Sequence, residues 1–215
     1  MIKRRIAMAL ERKKNIGIIS TLLLFILILL SGCVDLTCAY VKDSVISDGW
    51  NENKALSNTG TQFLGLDKWC SSTYEINGKY PASLTVTTIK TLVLGDEKEI
   101  QKKTRQTIEE TFQNTIQINE NTSGERTLQN KHKTMYIAYD GIDIVKNESV
   151  KIIGEVWNCD TSGTSVICIG VAYITNKEIS DIENTENWQK IVSSPSGIIN
   201  DFLGESGLID NIHCH

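Results

Sequence analysis

The chain contains little proline and histidine, and it lacks the short motifs that identify common enzyme classes. Its two prolines, Pro81 and Pro195, exclude a long proline-rich stalk. Two of its three histidines stand among the last three residues, so His132 is the one mid-chain candidate for a catalytic base. Gly-x-Ser-x-Gly elbows, phosphate-binding glycine loops and Cys-x-x-Cys pairs are absent. The sequence therefore predicts no catalytic site and no cofactor.

A basic N-terminus followed by a short apolar run is the clearest feature that is present. The first fourteen residues carry six basic side chains and one acid. Residues 16–30 are then almost entirely apolar. As a helix this run would be about 22 Å long, whereas a bilayer core is roughly 30 Å thick. The run is short for a permanent span and is typical of a secretory signal peptide.

The apolar run ends in Leu30, Ser31, Gly32 and Cys33, which is an apolar residue, two small residues and a cysteine. This stretch resembles the lipobox of bacterial and archaeal lipoproteins. The resemblance implies cleavage before Cys33, lipid such as palmitate on that residue, and attachment to the cell membrane facing outside the cytoplasm. Two acyl chains suffice for such an anchor. An uncleaved signal anchor and simple secretion remain as alternatives.

Charge supports a lipid anchor over an electrostatic one. Removal of residues 1–32 takes away six basic residues and one acid, so the net charge changes from −4 to −9. An acidic protein is not attracted to anionic lipid, so lipid on Cys33 must supply the membrane attachment. The same charge disfavours nucleic acid as a partner. The C-terminal half has no second apolar run long enough to span a bilayer.

The other cysteines suit an exported compartment in which disulfides form. We predict a disulfide between Cys159 and Cys168, because the two would face each other across a symmetric hairpin centred at residues 163–164. The first alternative pairs Cys70 with one of them and leaves the other for Cys214, and a second leaves two buried thiols free. Since the count without Cys33 is odd, at least one cysteine is free or bridges two chains. These five cysteines are Cys38, Cys70, Cys159, Cys168 and Cys214.

The C-terminal residues His213, Cys214 and His215 resemble part of a metal site. Adjacent ligands rarely converge on one ion without help, and structural zinc takes four ligands in a tetrahedral array. We therefore predict a polar C terminus and no metal site, with metal binding or a Cys214 disulfide as alternatives. Two glycosylation sequons begin at Asn121 and Asn147, and both fit an exported surface.

Acidic and aromatic side chains offer two further candidate sites. Asp140, Asp143 and Glu155 are predicted to be solubilising groups at strand ends, with an acidic pair for glycoside or metal chemistry as the alternative. The tryptophans are predicted to pack in the core, with a ligand groove as the alternative. They are Trp50, Trp69, Trp157 and Trp188.

Three regions follow from the composition along the chain. We predict a signal peptide at 1–32, a lipid-anchored tether and N-terminal segment at 33–66, and a single domain at 67–215. The middle region lacks periodicity and is rich in turn-forming residues. Val45, Ile46 and Trp50 indicate that some of it packs onto the domain.

The N-terminal half of the domain is predicted to be a hairpin followed by a helix. Asn77-Gly78 favours a type I′ turn joining strands at 69–76 and 79–94. Asp96 is a candidate N-cap for a helix over 97–116, which places Ile100, Ile108, Phe112 and Ile116 on one face.

The C-terminal half is predicted to contain a loop, three strands and a helix. The loop covers 119–130, and the strands cover 133–139, 150–158 and 165–174. The last strand is apolar on both faces, which is typical of the centre of a sheet. A short helix follows Thr185, with Trp188, Ile191 and Val192 on one face.

The element order is then β-β-α-β-β-β-α. It predicts an α+β fold with a mainly antiparallel sheet of about five strands, one long helix packed on it and a short C-terminal helix. Two features resemble those of PsbP-like domains. They are Tyr80-Pro81 at the entry to a long strand and the closing helix at 188–192. That resemblance implies an assembly factor or a subunit of a membrane complex.

We interpret the chain as a lipid-anchored, non-catalytic binding or envelope-interaction module whose partner is an envelope or membrane protein. Two alternatives remain. One is the assembly factor or complex subunit, and the other is an exported thiol-active enzyme that uses Cys70, Cys159, Cys168 or Cys214.

Overall fold

An antiparallel sheet of eight strands organises the part of the chain that the computed structural model describes. Residues 1–35, with the predicted signal peptide and Cys33, lie outside the described residues. From Leu36 to His215 the chain forms one compact unit. The described ranges are 36–46, 49–62, 67–91, 94–176, 185–194, 197–199 and 207–215.

The main sheet has the strand order β2-β4-β5-β9-β8-β7-β6, with β3 also paired to β4, and β1 and β10 form a separate pair. The strands are β1 (Tyr40–Val41), β2 (Asn51–Glu52), β3 (Asn58–Gln62), β4 (Asp67–Ile76), β5 (Ala82–Lys90), β6 (Ile116–Thr127), β7 (Lys133–Asp143), β8 (Glu148–Cys159), β9 (Thr164–Asn176) and β10 (Ile212–His213). The helices are α1 (Glu97–Phe112) and α2 (Glu186–Val192), with 3-10 turns at Asp43–Val45 and Ile209–Asn211.

The predicted fold with five strands in the order β-β-α-β-β-β-α is therefore wrong. Strand β6 occupies most of the predicted loop at 119–130, and β2 and β3 lie in the segment that precedes the predicted domain. A half-buried strand is recognised by alternating apolar residues. β6 is a polar strand at the edge of the sheet, and β2 and β3 are only two and five residues long. None of these three strands therefore shows alternating apolar residues.

The connection between β4 and β5 also differs from the prediction. Ile76 pairs with Ala82, so five residues join the strands instead of the two of a type I′ turn. Gly78 adopts a φ of +137° within this connection. Pro81 has no amide hydrogen to donate to the ladder, and regular pairing begins at the residue after it.

Helix α1 packs on one face of the sheet and begins as predicted. The amide of Lys98 donates to the Asp96 carboxylate at 2.9 Å, which confirms the N-cap. The helix ends at Phe112, and Ile116 instead begins β6 opposite Asp143. Ile108 is fully buried in a cluster contributed by α1, β6, β7 and β8.

The opposite face holds the larger core. Helix α2 buries Trp188, Ile191 and Val192 there, as predicted. Ala39, Val41 and Trp50 from the N-terminal segment join the same core, and Val45 and Ile46 pack against it. The packing of Val45, Ile46 and Trp50 was predicted, and that of Ala39 and Val41 was not. Strand β9 lies inside the sheet between β5 and β8. Its Val166, Cys168, Ala172 and Ile174 are buried on this face.

Among the described residues, no helix combines the length and apolar character that crossing a bilayer requires.

Candidate functional site

The C terminus is held beside the turn between β6 and β7. Strand β10 pairs with β1, with His213 opposite Tyr40. The Asn130 side chain donates to the carbonyl of Ile212 at 3.2 Å. The amide of Gln129 donates to a carboxylate oxygen of Asp210 at 3.1 Å. These contacts fix the last residues of the chain next to His132.

Four side chains converge at this point. One ligand-type atom from each of His132, Cys159, Cys214 and His215 lies within 4.8 Å of the other three. Cys214 Sγ is 3.3 Å from His132 Nε2. His215 Nδ1 is 3.6 Å from Cys159 Sγ and 3.7 Å from Cys214 Sγ. Both cysteines are buried, His132 is half-buried and His215 is exposed.

The environment of His132 favours its neutral form. Burial lowers the pKa of His132, and the nearby His215 lowers it further. The imidazole stacks on the ring of Trp157, with ring centroids 6.1 Å apart. The backbone amide of His132 donates to the Asn130 side chain at 3.2 Å. The side chain is therefore positioned by the core and by its own turn.

The sequence did not predict this cluster. The sequence pattern suggested His213, Cys214 and His215 as adjacent candidate ligands, but His213 is not part of the cluster. Cys159 enters in its place because the end of β8 lies beside the chain terminus. The sequence contains a mid-chain histidine and cysteine together with a C-terminal Cys-His. The hydrogen bonds of Gln129 and Asn130 to the C-terminal segment, which the sequence does not reveal, bring these residues together.

The structure places disulfides at Cys38–Cys70 and Cys159–Cys214, with Cα separations of 5.9 and 6.5 Å. The predicted Cys159–Cys168 disulfide is wrong. Cys159 lies opposite Thr164 in the ladder between β8 and β9, so the hairpin is centred two residues earlier than the symmetric arrangement required. The first alternative left either Cys159 or Cys168 for Cys214, and the structure pairs Cys159 with it. Its pairing of Cys70 with Cys159 or Cys168 is wrong, because Cys70 is bonded to Cys38.

Cys168 is the one free cysteine among the described residues, and it is fully buried. Burial raises the pKa of its thiol, and the charge of Glu155 raises it further. A thiol held in its protonated form is a poor nucleophile. This environment disfavours the thiol-active enzyme that uses Cys168.

Two of the three acidic candidates are interior groups, which contradicts their assignment as solubilising residues. Glu155 is fully buried and forms an ion pair with Arg126, with an N···O distance of 2.6 Å. Asp143 is 5 % exposed and accepts hydrogen bonds from the amides of Val145 and Lys146. Glu155 thus links β8 to β6, and Asp143 holds the turn that follows β7.

The two sequons occupy different settings. Asn147 is exposed in the turn between β7 and β8, with a φ of +55°. The backbone of Asn121 lies in β6, opposite Tyr139. Glycosylation at either residue stays a prediction.

A second candidate site is a cleft of about 270 Å³ between the start of α2 and the connection from β4 to β5. The side chain of Asn187 donates to the carbonyl of Tyr80 at 2.7 Å and joins the two walls. Trp50, which was expected in the core, is buried and also contributes to this cleft. The lining residues are Trp50, Ile76, Asn77, Lys79, Tyr80, Glu186, Asn187 and Lys190.

No protein-family model matches the chain, and no curated protein matches it. Among solved structures, it is similar to the Ran-binding protein Mog1p of Saccharomyces cerevisiae. The sequence identity is 14 %, and the match covers 74 % of this chain and 95 % of Mog1p, with a TM-score of 0.36. A likeness of that size supports no inference about fold or function.

Proposed function

We propose that this chain is an exported, non-catalytic binding module held on the outer face of the cell membrane by lipid on Cys33. The observation that carries the proposal is that the chain is attached to the folded unit a few residues after Cys33. Cys38 forms a disulfide with Cys70 in β4. The amide of Ala39 donates to the Thr88 hydroxyl at 2.7 Å. Cys38 is five positions after Cys33, a reach of at most about 18 Å.

The disulfides support export. Disulfides are rare where cellular reductants keep thiols reduced and are common in exported proteins. The two pairs in this structure join residues separated by 32 and 55 positions, and each connects a chain end to the main sheet. An exported chain would thus have both ends covalently fixed to its core.

The cleft opens at the end of the sheet that is farther from Cys38. Thr88 binds the N-terminal segment near one end of β5, and Ala82 begins that strand beside the cleft. Thr88 is six positions after Ala82 along the extended strand, which is about 20 Å. With the lipid close to the Cys38 end, the cleft lies on the side available to a partner.

The partner that suits the cleft is an envelope or membrane protein that presents an acidic side chain beside an apolar one. The cleft carries the rings of Trp50 and Tyr80 together with Lys79 and Lys190, against the single acid Glu186. A positive patch on a chain of net negative charge attracts an acidic segment specifically. Aromatic rings add contact area at a small cost in conformational entropy.

The anchor is tested by producing the full-length chain and its Cys33→Ser variant in the native host. We expect the wild type to partition into the detergent phase when a detergent extract is separated into two phases. Protease added to cells that have lost their outer layers but keep an intact cell membrane should digest it. The variant should lose the detergent partition. A Cys168→Ala variant is the matched control, because it removes a thiol without touching the anchor. Equal partition of wild type and Cys33→Ser contradicts the proposal.

The binding role is tested by reversing charge in the cleft. We expect Lys79→Glu combined with Lys190→Glu to abolish recovery of a partner that co-purifies with the wild type after gentle detergent extraction. The control reverses Lys98 and Lys102, which are exposed on α1 and distant from the cleft. Equal loss in both variants contradicts a specific site. Turnover of a substrate by the wild type contradicts the non-catalytic role.

A further inference from the structure

The cluster of His132, Cys159, Cys214 and His215 contains the donor atoms of a Cys₂His₂ metal site. Two thiolates and two neutral imidazoles form one of the common ligand sets of structural zinc. Sulfur and imidazole ligands together favour zinc over magnesium or calcium, which take oxygen ligands. The chemistry of the donors therefore defines the class of cation that this point would bind.

The separations between the donor atoms are close to those around a tetrahedral ion. With Zn–S bonds of about 2.3 Å and Zn–N bonds of about 2.0–2.1 Å, a tetrahedral site places sulfur and nitrogen ligands about 3.6 Å apart. The separation between Cys214 Sγ and His132 Nε2 is 3.3 Å. Those from His215 Nδ1 to the sulfurs of Cys159 and Cys214 are 3.6 and 3.7 Å. These three separations are those of the disulfide-bonded form, and they are close to the spacing that one ion requires.

The surroundings hold the ligands and leave a path for the ion. Cys159 ends β8, and Cys214 directly follows β10, so regular structure positions both sulfurs. Trp157 packs on the His132 ring. Both sulfurs are buried, whereas His215 is exposed, so a cation can enter from the side of the chain terminus.

The two sulfurs are bonded to each other in this structure, so they become metal ligands only after reduction. The Cα atoms are 6.5 Å apart, within the usual disulfide range of about 4.4–6.8 Å and near its upper end. After the disulfide is reduced, the two cysteine side chains must rotate so that the sulfurs move apart, and each sulfur must stay close to a histidine nitrogen.

We propose that the reduced chain binds one zinc-class cation through these four side chains, and that forming the Cys159–Cys214 disulfide releases it. In the release step a small-molecule disulfide accepts two electrons from the two thiolates and, with two protons, becomes two thiols, while the Cys159–Cys214 bond forms and the cation leaves. With a phosphine as reductant, the S–S bond breaks and phosphorus supplies the two electrons. Water gives its oxygen to phosphorus, and two protons are released as the two thiolates bind the divalent cation. In a cell, a dithiol supplies the same two electrons and becomes a disulfide. This site does not depend on the lipid anchor or on the cleft.

The test uses the full chain purified in detergent, with Co²⁺ as a spectroscopic probe. After phosphine treatment we expect one Co²⁺ per chain, with a thiolate-to-cobalt charge-transfer band and the absorption of a tetrahedral ion. The oxidised chain should bind none at the same concentration. His132→Ala and His215→Ala should each weaken binding at least about tenfold. His213→Ala is the matched control and should bind as the wild type does.

Two measurements separate the cluster from other thiols. A variant with Cys38→Ala and Cys70→Ala should keep the full cobalt spectrum, since those sulfurs lie outside the cluster. In the reduced wild type, Zn²⁺ should slow alkylation of Cys159 and Cys214 specifically, as read by peptide mass. The proposal is overturned if the reduced wild type binds no cobalt, if the oxidised chain binds it equally, or if loss of His132 leaves affinity and spectrum unchanged.

Discussion

Arg126 on β6 and Glu155 on β8 form a bidentate ion pair that spans β7 inside the protein. The Nε and Nη2 atoms of Arg126 donate to the two carboxylate oxygens at 2.8 and 2.6 Å. Nη1 also donates to the carbonyl of Val192 at 2.7 Å, and the Thr134 hydroxyl donates to the carboxylate. The guanidinium is 5 % exposed and the carboxylate is fully buried. The pair therefore joins the edge of the sheet to the end of α2.

Removing one partner of this pair should be severe. We expect Glu155→Gln to lower the free energy of unfolding by about 3–5 kcal/mol, because Arg126 is left buried without its counter-charge. Chemical denaturation monitored by circular dichroism measures the change. Glu99→Gln is the control, because Glu99 pairs with Lys103 on the exposed side of α1. That change should cost less than about 1 kcal/mol. Equal effects at the two sites would show that the interior pair is not specially coupled.

The cysteine connectivity can be read directly. Digestion without reductant, followed by mass spectrometry, should yield linked peptides containing Cys38 with Cys70 and Cys159 with Cys214. Cys168 should react with an alkylating reagent only after unfolding. Loss of the first disulfide by double alanine substitution should cost about 2–4 kcal/mol of stability, as expected for a loop of that length. A linked Cys159–Cys168 peptide would contradict the register of β8 and β9.

Each helix packs against a glycine in the sheet, one on each face. A Cβ atom on Gly170 would lie 2.6 Å from Ile191 of α2, and one on Gly154 would lie 2.7 Å from Ile108 of α1. We expect Gly170→Ala to reduce stability by about 1–3 kcal/mol, because α2 must move away from β9. Gly95→Ala is the control, since the nearest atom is the end of a flexible isoleucine side chain at 3.2 Å. Thermal unfolding of the two variants tests the difference.

Asp143 should make stability depend on pH in the acidic range. Burial alone would raise the pKa of Asp143, but the amide of Lys146, the Tyr173 hydroxyl and the amide of Val145 outweigh it and hold the pKa below 3.8. The contribution of the carboxylate is complete above the unfolded-state pKa and is lost as pH falls through the lower folded-state pKa. Asp143→Asn should therefore be less stable than the wild type at neutral pH, and the gap should narrow below about pH 3.8. A gap that stays constant down to pH 2 would show that this carboxylate does not titrate as described.

Local sequence signals predicted the elements that carry a strong apolar pattern or a cap. The N-cap at Asp96, the buried face of α2 and the interior position of β9 all depend on neighbouring residues, and the structure contains them. The polar edge strand β6 lacked any such signal. Its pairing with β7 provides its backbone hydrogen bonds, and that partner is not visible in the sequence of β6 itself.

The candidate site could not be predicted from local sequence either, because its residues come from distant parts of the chain. His132 and His215 are 83 residues apart in sequence, and they meet because Gln129 and Asn130, in the turn before His132, hydrogen-bond to the C-terminal segment. The disulfide prediction failed on register. A symmetric hairpin centred two residues later would have placed Cys159 opposite Cys168, and the position of the turn decides between the two arrangements.

The most direct test of the account is the intact mass of the native protein extracted from membranes without reductant. The account predicts a chain that begins at Cys33, with added mass equal to a diacylglyceryl-type modification and with four cysteines oxidised in two disulfides. Retention of residues 1–32, or unmodified Cys33 in a protein still attached to the membrane, would contradict it.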